Sequence, residues 1–126
     1  MNLTKVLVKI NEAMLNKPEI DIGNIEADDI SLYESDEYYN DLYDTYDNAF
    51  LAIEICPTEN WKYHIYTYLE DYNGHAVPSD TVMRDGESIE KLLSALNRPC
   101  YMPDNREGWT IHTILYDILK AANEEK

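Results

Sequence analysis

Apolar residues recur at helical spacing at the start of the chain: Leu3, Val6, Leu7, Ile10, Ala13 and Met14 fall on one stripe. Asn2 stands where an N-cap is needed, and Lys17-Pro18 stops the run, so a first helix is predicted over residues 3–15. Residues 18–34 are mixed: Ile20, Ile22, Ile25, Ile30 and Leu32 alternate with acids around Gly23. That stretch reads as a loop with room for a short strand or a turn of helix. Ser35 then suits an N-cap for a second helix over 36–47, with Asp36 and Glu37 at its positive end.

The periodicity changes at residue 49. The run AFLAIEIC, 49–56, is nearly continuous in apolar residues and reads as a buried strand. Pro57-Thr58-Glu59-Asn60 is a turn signal. Residues 61–70 alternate Trp61, Tyr63, Ile65, Thr67 and Leu69 against Lys62, His64, Tyr66, Tyr68 and Glu70, which predicts a second strand antiparallel to the first. Residues 72–80 read as loop, Thr81 to Met83 as a candidate third short strand, and Arg84-Asp85-Gly86 as the turn out of it. Ile89, Leu92, Leu93 and Leu96 predict a helix over 87–97, closed by Asn97-Arg98-Pro99. A proline-containing loop follows, and Trp109, Ile111, Ile114, Leu115, Ile118 and Leu119 form the buried stripe of a last helix over 109–122. The expected class is α+β: a small antiparallel sheet, with the hairpin 49–56/61–70 at its centre, packed by about four helices in a single domain spanning 1–126.

Charge alters this picture more than composition does. The chain is 44% apolar with eleven tyrosines, which argues for a folded core, yet its formal net charge is −15. Between Lys17 and Lys62 there is no lysine or arginine, and that gap holds thirteen of the twenty-five acids. The remainder is close to neutral, so the excess is local rather than a uniform solubility charge. No signal-peptide layout or spanning apolar run is present, and a cytoplasmic protein without membrane contact is expected.

On a helical wheel the segment DEYYNDLYDTYD, 36–47, separates cleanly. Asp36, Glu37, Asp41, Asp44 and Asp47 share one side, and Leu42 with Tyr38, Tyr39, Tyr43 and Tyr46 share the other. The like-charged pairs Glu37/Asp41, Asp41/Asp44 and Asp44/Asp47 would each cost a few tenths of a kcal/mol, roughly. A solvated face normally interleaves lysine, so this stripe is worse for stability than an ordinary one. Five carboxylates over roughly 16 Å of helix average one per about 4 Å, near the ~3.4 Å rise per phosphate of a DNA strand. The stripe therefore predicts a surface that imitates phosphates, with Asp28, Asp29 and Glu34 extending it. In size and in the acids of residues 19–59 the chain resembles the small acidic proteins that phages use against host defence, including anti-CRISPR and anti-restriction DNA mimics. The resemblance implies a non-enzymatic inhibitor. Its partner would be a basic protein that handles nucleic acid, such as a CRISPR effector or another defence nuclease. An immunity protein that neutralises a toxin nuclease is the alternative. A tyrosine face left exposed is also a candidate homodimer seam.

Catalytic signatures are sparse. His64, His75 and His112 stand in no metal-binding spacing, and no nucleotide-binding or nucleophile-elbow motif occurs. His64 can face Cys56 across the predicted hairpin, and His75 lies near Asp80, so a small enzyme built on His64 or His75 is the second alternative. Glu26, Asp28 and Asp29 could hold a divalent cation weakly, although no cofactor is implied. Cys56 and Cys100 lack a CxxC context and read as small half-buried thiols. Direct nucleic-acid binding is disfavoured, because ten bases are scattered among twenty-five acids.

Overall fold

In the computed structural model, which describes residues 1–40, 44–70, 74–98 and 108–125, the chain begins with helix α1 (Leu3–Met14). The Asn2 side chain accepts the backbone N–H of Lys5 at 3.2 Å, and Val6, Ile10 and Met14 bury the predicted stripe. Five strands follow: β1 (Ile20–Glu26), β2 (Asp29–Asn40), β3 (Thr45–Cys56), β4 (Lys62–Glu70) and β5 (Ala76–Gly86). They form one sheet in the order β1-β2-β3-β4-β5, each antiparallel to its neighbour. Helices α2 (Ile89–Leu96) and α3 (Ile111–Glu124) complete the described elements. The expected α+β architecture holds, with three helices among the described residues and a sheet larger than predicted.

The predicted helix over 36–47 is not formed. Residues 36–40 continue β2, and residues 45–47 begin β3, with Tyr38 opposite Asp47 and Tyr39 opposite Tyr46. Asp41, Leu42 and Tyr43 lie outside the described residues, and Asp44 beside them has a positive φ of 50°. Tyrosine favours strands, and Asp, Asn and Thr are poor helix formers, so local propensity sides with the hairpin. Residues 18–34 likewise supply β1 and the start of β2 rather than a loop. The third strand begins at Ala76, not Thr81, and tolerates Pro78 because β5 is an edge strand, with no strand on its outer side among the described residues.

Strand alternation sends Ile30 and Leu32 of β2, Ala49, Leu51, Ile53 and Ile55 of β3, and Tyr63, Ile65 and Leu69 of β4 to one face. There they join the buried stripes of α1, α2 and α3 in a single core. Gly86 permits one close approach in it. Its register partner Tyr63 lies so near that a Cβ at residue 86 would stand 2.6 Å from the Tyr63 hydroxyl and 2.8 Å from ring carbons. That hydroxyl donates to the carbonyl of Lys91 at 3.3 Å, tying β4 to α2.

Glu34 also sits on this core-facing side, only 5% exposed. Its carboxylate accepts the backbone N–H of Thr110 (2.9 Å), the N–H of Ile111 (3.1 Å) and the Thr110 hydroxyl. Thr110 stands at the N-cap of α3 but makes no side-chain capping bond of its own. A carboxylate from β2 therefore satisfies the helix's orphan donors and complements its positive end.

Candidate functional site

The same alternation that builds the core leaves the opposite face of the sheet without a helix among the described elements. Register defines what stands on it, row by row. Tyr39 faces Tyr46 at the hairpin end, and the next row is Glu37, Asn48 and Glu70. Below these come Ser35, Phe50 and Tyr68, then Asp21, Tyr33, Ala52, Tyr66 and Met83. The last full row is Asn24, Ser31, Glu54, His64 and Asp85.

The centre of this face is aromatic. Phe50 and Tyr68 stack across β3 and β4 with centroids 5.0 Å apart and planes 14° from parallel. Tyr68 stacks on Tyr66 at 5.7 Å, and Tyr66 meets the His64 ring at 5.0 Å. Tyr39 and Tyr46 pair at 4.9 Å, and Tyr46 remains 65% exposed. Ala52 lies between Tyr33 and Tyr66 in register and retains no exposed surface. At 4.8 Å between strands and about 3.3 Å per residue, the face is roughly 20 Å wide and 30 Å long. That is on the order of 600 Å², close to the ~800 Å² each partner contributes to an ordinary protein interface.

Its margin is acidic. Asp21, Glu37, Glu54, Glu70 and Asp85 stand on it, and Lys62 is the one lysine or arginine that the register puts there. Burial, followed by the charge of Glu54 and repulsion from the neighbouring phenol groups of Tyr33 and Tyr68, pushes the Tyr66 hydroxyl up to about 12, and Tyr66 donates to Glu54 at 3.3 Å. Burial and Glu70 raise Tyr68 as well. Both phenols are therefore neutral donors at physiological pH, and the negative charge resides on the carboxylates.

The predicted acidic residues do not form one stripe. Glu37 lies on the uncovered face, whereas Glu34 and Asp47 are buried on the core side. Asp36 is exposed on that same side, and its carboxylate accepts the N–H of Glu37 at 2.8 Å. Asp44 sits at the hairpin end, where it receives the Tyr39 hydroxyl. Asp41 falls outside the described residues. Asp28 lies in the β1–β2 turn and Asp29 opens β2 at its far end, roughly 35 Å away at 3.3 Å per residue, and Asp29 accepts the Asn24 amide at 2.9 Å. The residues that sequence reasoning passed over are Tyr33, Phe50, Tyr66, Tyr68, Glu54 and Glu70. Half of that set was visible in the 62–70 alternation, but its partners on β2 were assigned to a loop and a helix.

At the lower end of the face a pocket of about 620 Å³ is lined by Asp29, Glu54, Cys56, Lys62, His64, Asp85 and Glu87, among others. His64 contacts Asp85 through Nδ1. Cys56 is a free thiol whose neighbour is the Thr58 hydroxyl at 3.6 Å. Cys56 is opposite Lys62 in register and His64 opposite Glu54, so thiol and imidazole are diagonal neighbours rather than a facing pair. His75 is exposed before β5, and Cys100 lies outside the described residues. His112 in α3 has its pKa lowered by burial and by Arg84, and its Nδ1 has no hydrogen-bond partner among the described residues. Among the described residues no three His, Cys, Asp or Glu side chains are grouped to hold a metal, and no helix is long and apolar enough to cross a membrane. The chain matches no protein-family model, and no curated protein or solved structure shows significant similarity to it.

Proposed function

We propose that this chain is a non-enzymatic binding protein that docks on the basic, nucleic-acid-handling surface of another protein and keeps the nucleic acid out. The observation that carries this reading is the sheet face that no described helix covers, lined with tyrosines and bordered by carboxylates, with Lys62 the one lysine or arginine that the strand register of the described residues puts there. Aromatic rings supply contact area at low entropic cost, and the carboxylates complement a surface evolved to bind phosphate. The contact is moved from the expected helical stripe to the sheet, because residues 36–40 and 45–47 pair as strands and their acids are divided between two faces. A CRISPR effector or other defence nuclease presents such a basic surface, and so does a toxin nuclease held by an immunity protein.

The test uses two charge reversals on the exposed face, Glu54→Lys with Glu70→Lys. Partner proteins captured from the source cell by the parent chain are identified, and their binding to labelled oligonucleotide is measured with and without it. The expected result is displacement of the oligonucleotide by the parent chain, weakening steeply as salt rises, and loss of displacement in the double reversal. A captured partner that binds nucleic acid equally well with the chain attached would overturn the reading.

A further inference from the structure

In this acidic chain three cations converge on one place. Arg84, Lys91 and Arg98 line a pocket of about 370 Å³ beside β5 and α2, together with Ser94, Met83 and Tyr63. The fold accounts for part of this. Arg84 Nη1 donates to the carbonyls of Ala95 (3.3 Å) and Arg98 (3.0 Å), at the C-terminal end of α2, where cations are favoured. Arg98 follows the C-cap Asn97 and benefits from the same helix end.

Lys91 has no such account. It is in the first turn of α2, where the macrodipole opposes a positive charge, and it is exposed. Neither Lys91 nor Arg98 makes an ion pair among the described residues. Asp85, the carboxylate on the pocket wall, is engaged by His64. The Arg84 guanidinium is held in place by two carbonyls, so little entropy is lost when it meets a ligand. The chain's overall negative field does not prevent an anion from binding here, since it is screened within about 8–10 Å at physiological salt.

We propose that this pocket is an anion site that takes a phosphate group carried by a small ligand, held by Arg84, Lys91 and Arg98 with the Ser94 hydroxyl beside them. Lys91 and Arg98 bring two positive charges to match a dianion, and the guanidinium fork matches phosphate oxygens.

The probes are inorganic phosphate and pyrophosphate, titrated into the full chain while amide resonances are followed, with sodium chloride at matched ionic strength as the control. Saturable shifts are expected at Lys91, Ser94 and Arg98. In Lys91→Gln with Arg98→Gln, both exposed positions, the affinity should fall about tenfold or more while the remaining resonances stay where they were. Arg84 is left intact because it caps α2. Shifts no larger than those from chloride, or saturable binding that the double variant leaves unchanged, would overturn the proposal.

Discussion

Glu34 is the residue at which an acidic-surface role and a structural role give opposite results. Its carboxylate holds two backbone N–H groups and one hydroxyl at the start of α3, and Ile111, whose N–H it accepts, is fully buried. Replacing Glu34 by alanine removes the cap, a loss of about 1 kcal/mol, and strands a buried donor, a further ~1–3 kcal/mol. The two terms together come to about 2–4 kcal/mol, and the adjoining pocket of about 300 Å³, which gives water access to Thr110, holds the total near the middle, about 3 kcal/mol. Glu34→Gln keeps an acceptor and loses the charge assistance, at about 1 kcal/mol. In urea unfolding with an m-value of about 2 kcal/mol/M, the midpoints should fall by about 1.5 M and about 0.5 M, with m unchanged. Binding of a basic partner by the folded fraction should be unaffected in both variants. A loss under about 0.5 kcal/mol for Glu34→Ala would refute the capping argument.

Gly86→Ala should lower stability by about 1–3 kcal/mol through overpacking against Tyr63, seen as a fall in melting temperature; an unchanged value would mean that the ring can shift aside. Tyr66 makes stability depend on alkaline pH. Its proton is retained in the folded chain up to about 12 but is lost near 10 on unfolding, so stability is full below pH 10 and falls between 10 and 12. Tyr66→Phe should flatten that fall. Ultraviolet titration of the native chain should show a late tyrosine, and a single midpoint near pH 10 for all of them would contradict the burial argument.

The elements that were legible in the sequence are those whose causes are local. Helix α1 has its Asn2 cap and i, i+4 stripe, α2 has the stripe of Ile89, Leu92, Leu93 and Leu96, and β3 and β4 carry continuous or alternating apolar residues. The α3 stripe was equally plain, although its cap comes from Glu34, 76 positions away. Residues 36–47 misled for a geometric reason. Tyr39 and Tyr46 are seven apart and so share one face of a helix, and they are neighbours again as register partners on β2 and β3. Tyr38 and Asp47 distinguish the two cases, being on opposite sides of the wheel yet paired in the sheet. In β1 a bulge between Ile22 and Asn24 shifts the alternation, so Ile20, Ile22 and Ile25 never read as one strand. Gly23 fits at that bulge because a Cβ there would meet the Ser31 hydroxyl at 2.5 Å.

The base-free stretch between Lys17 and Lys62 corresponds to a physical region: it is β1, β2 and β3 with their turns. The sheet is therefore polarised across its width. Carboxylates dominate at the β1 to β3 side, while Lys62 and His64 appear on β4, and Arg84, Lys91 and Arg98 gather at the β5 edge and α2. Neutral aromatic residues span the transition. A field of this shape does more than attract a basic surface. It sets the direction of approach, drawing cations toward β2 and β3 and leaving the β5 edge able to receive an anion. Reversing charge at Glu54 and Glu70 should therefore slow association as well as weaken it, whereas neutralising Lys91 and Arg98, on the other side of the sheet, should leave the association rate with a basic partner unchanged or slightly faster.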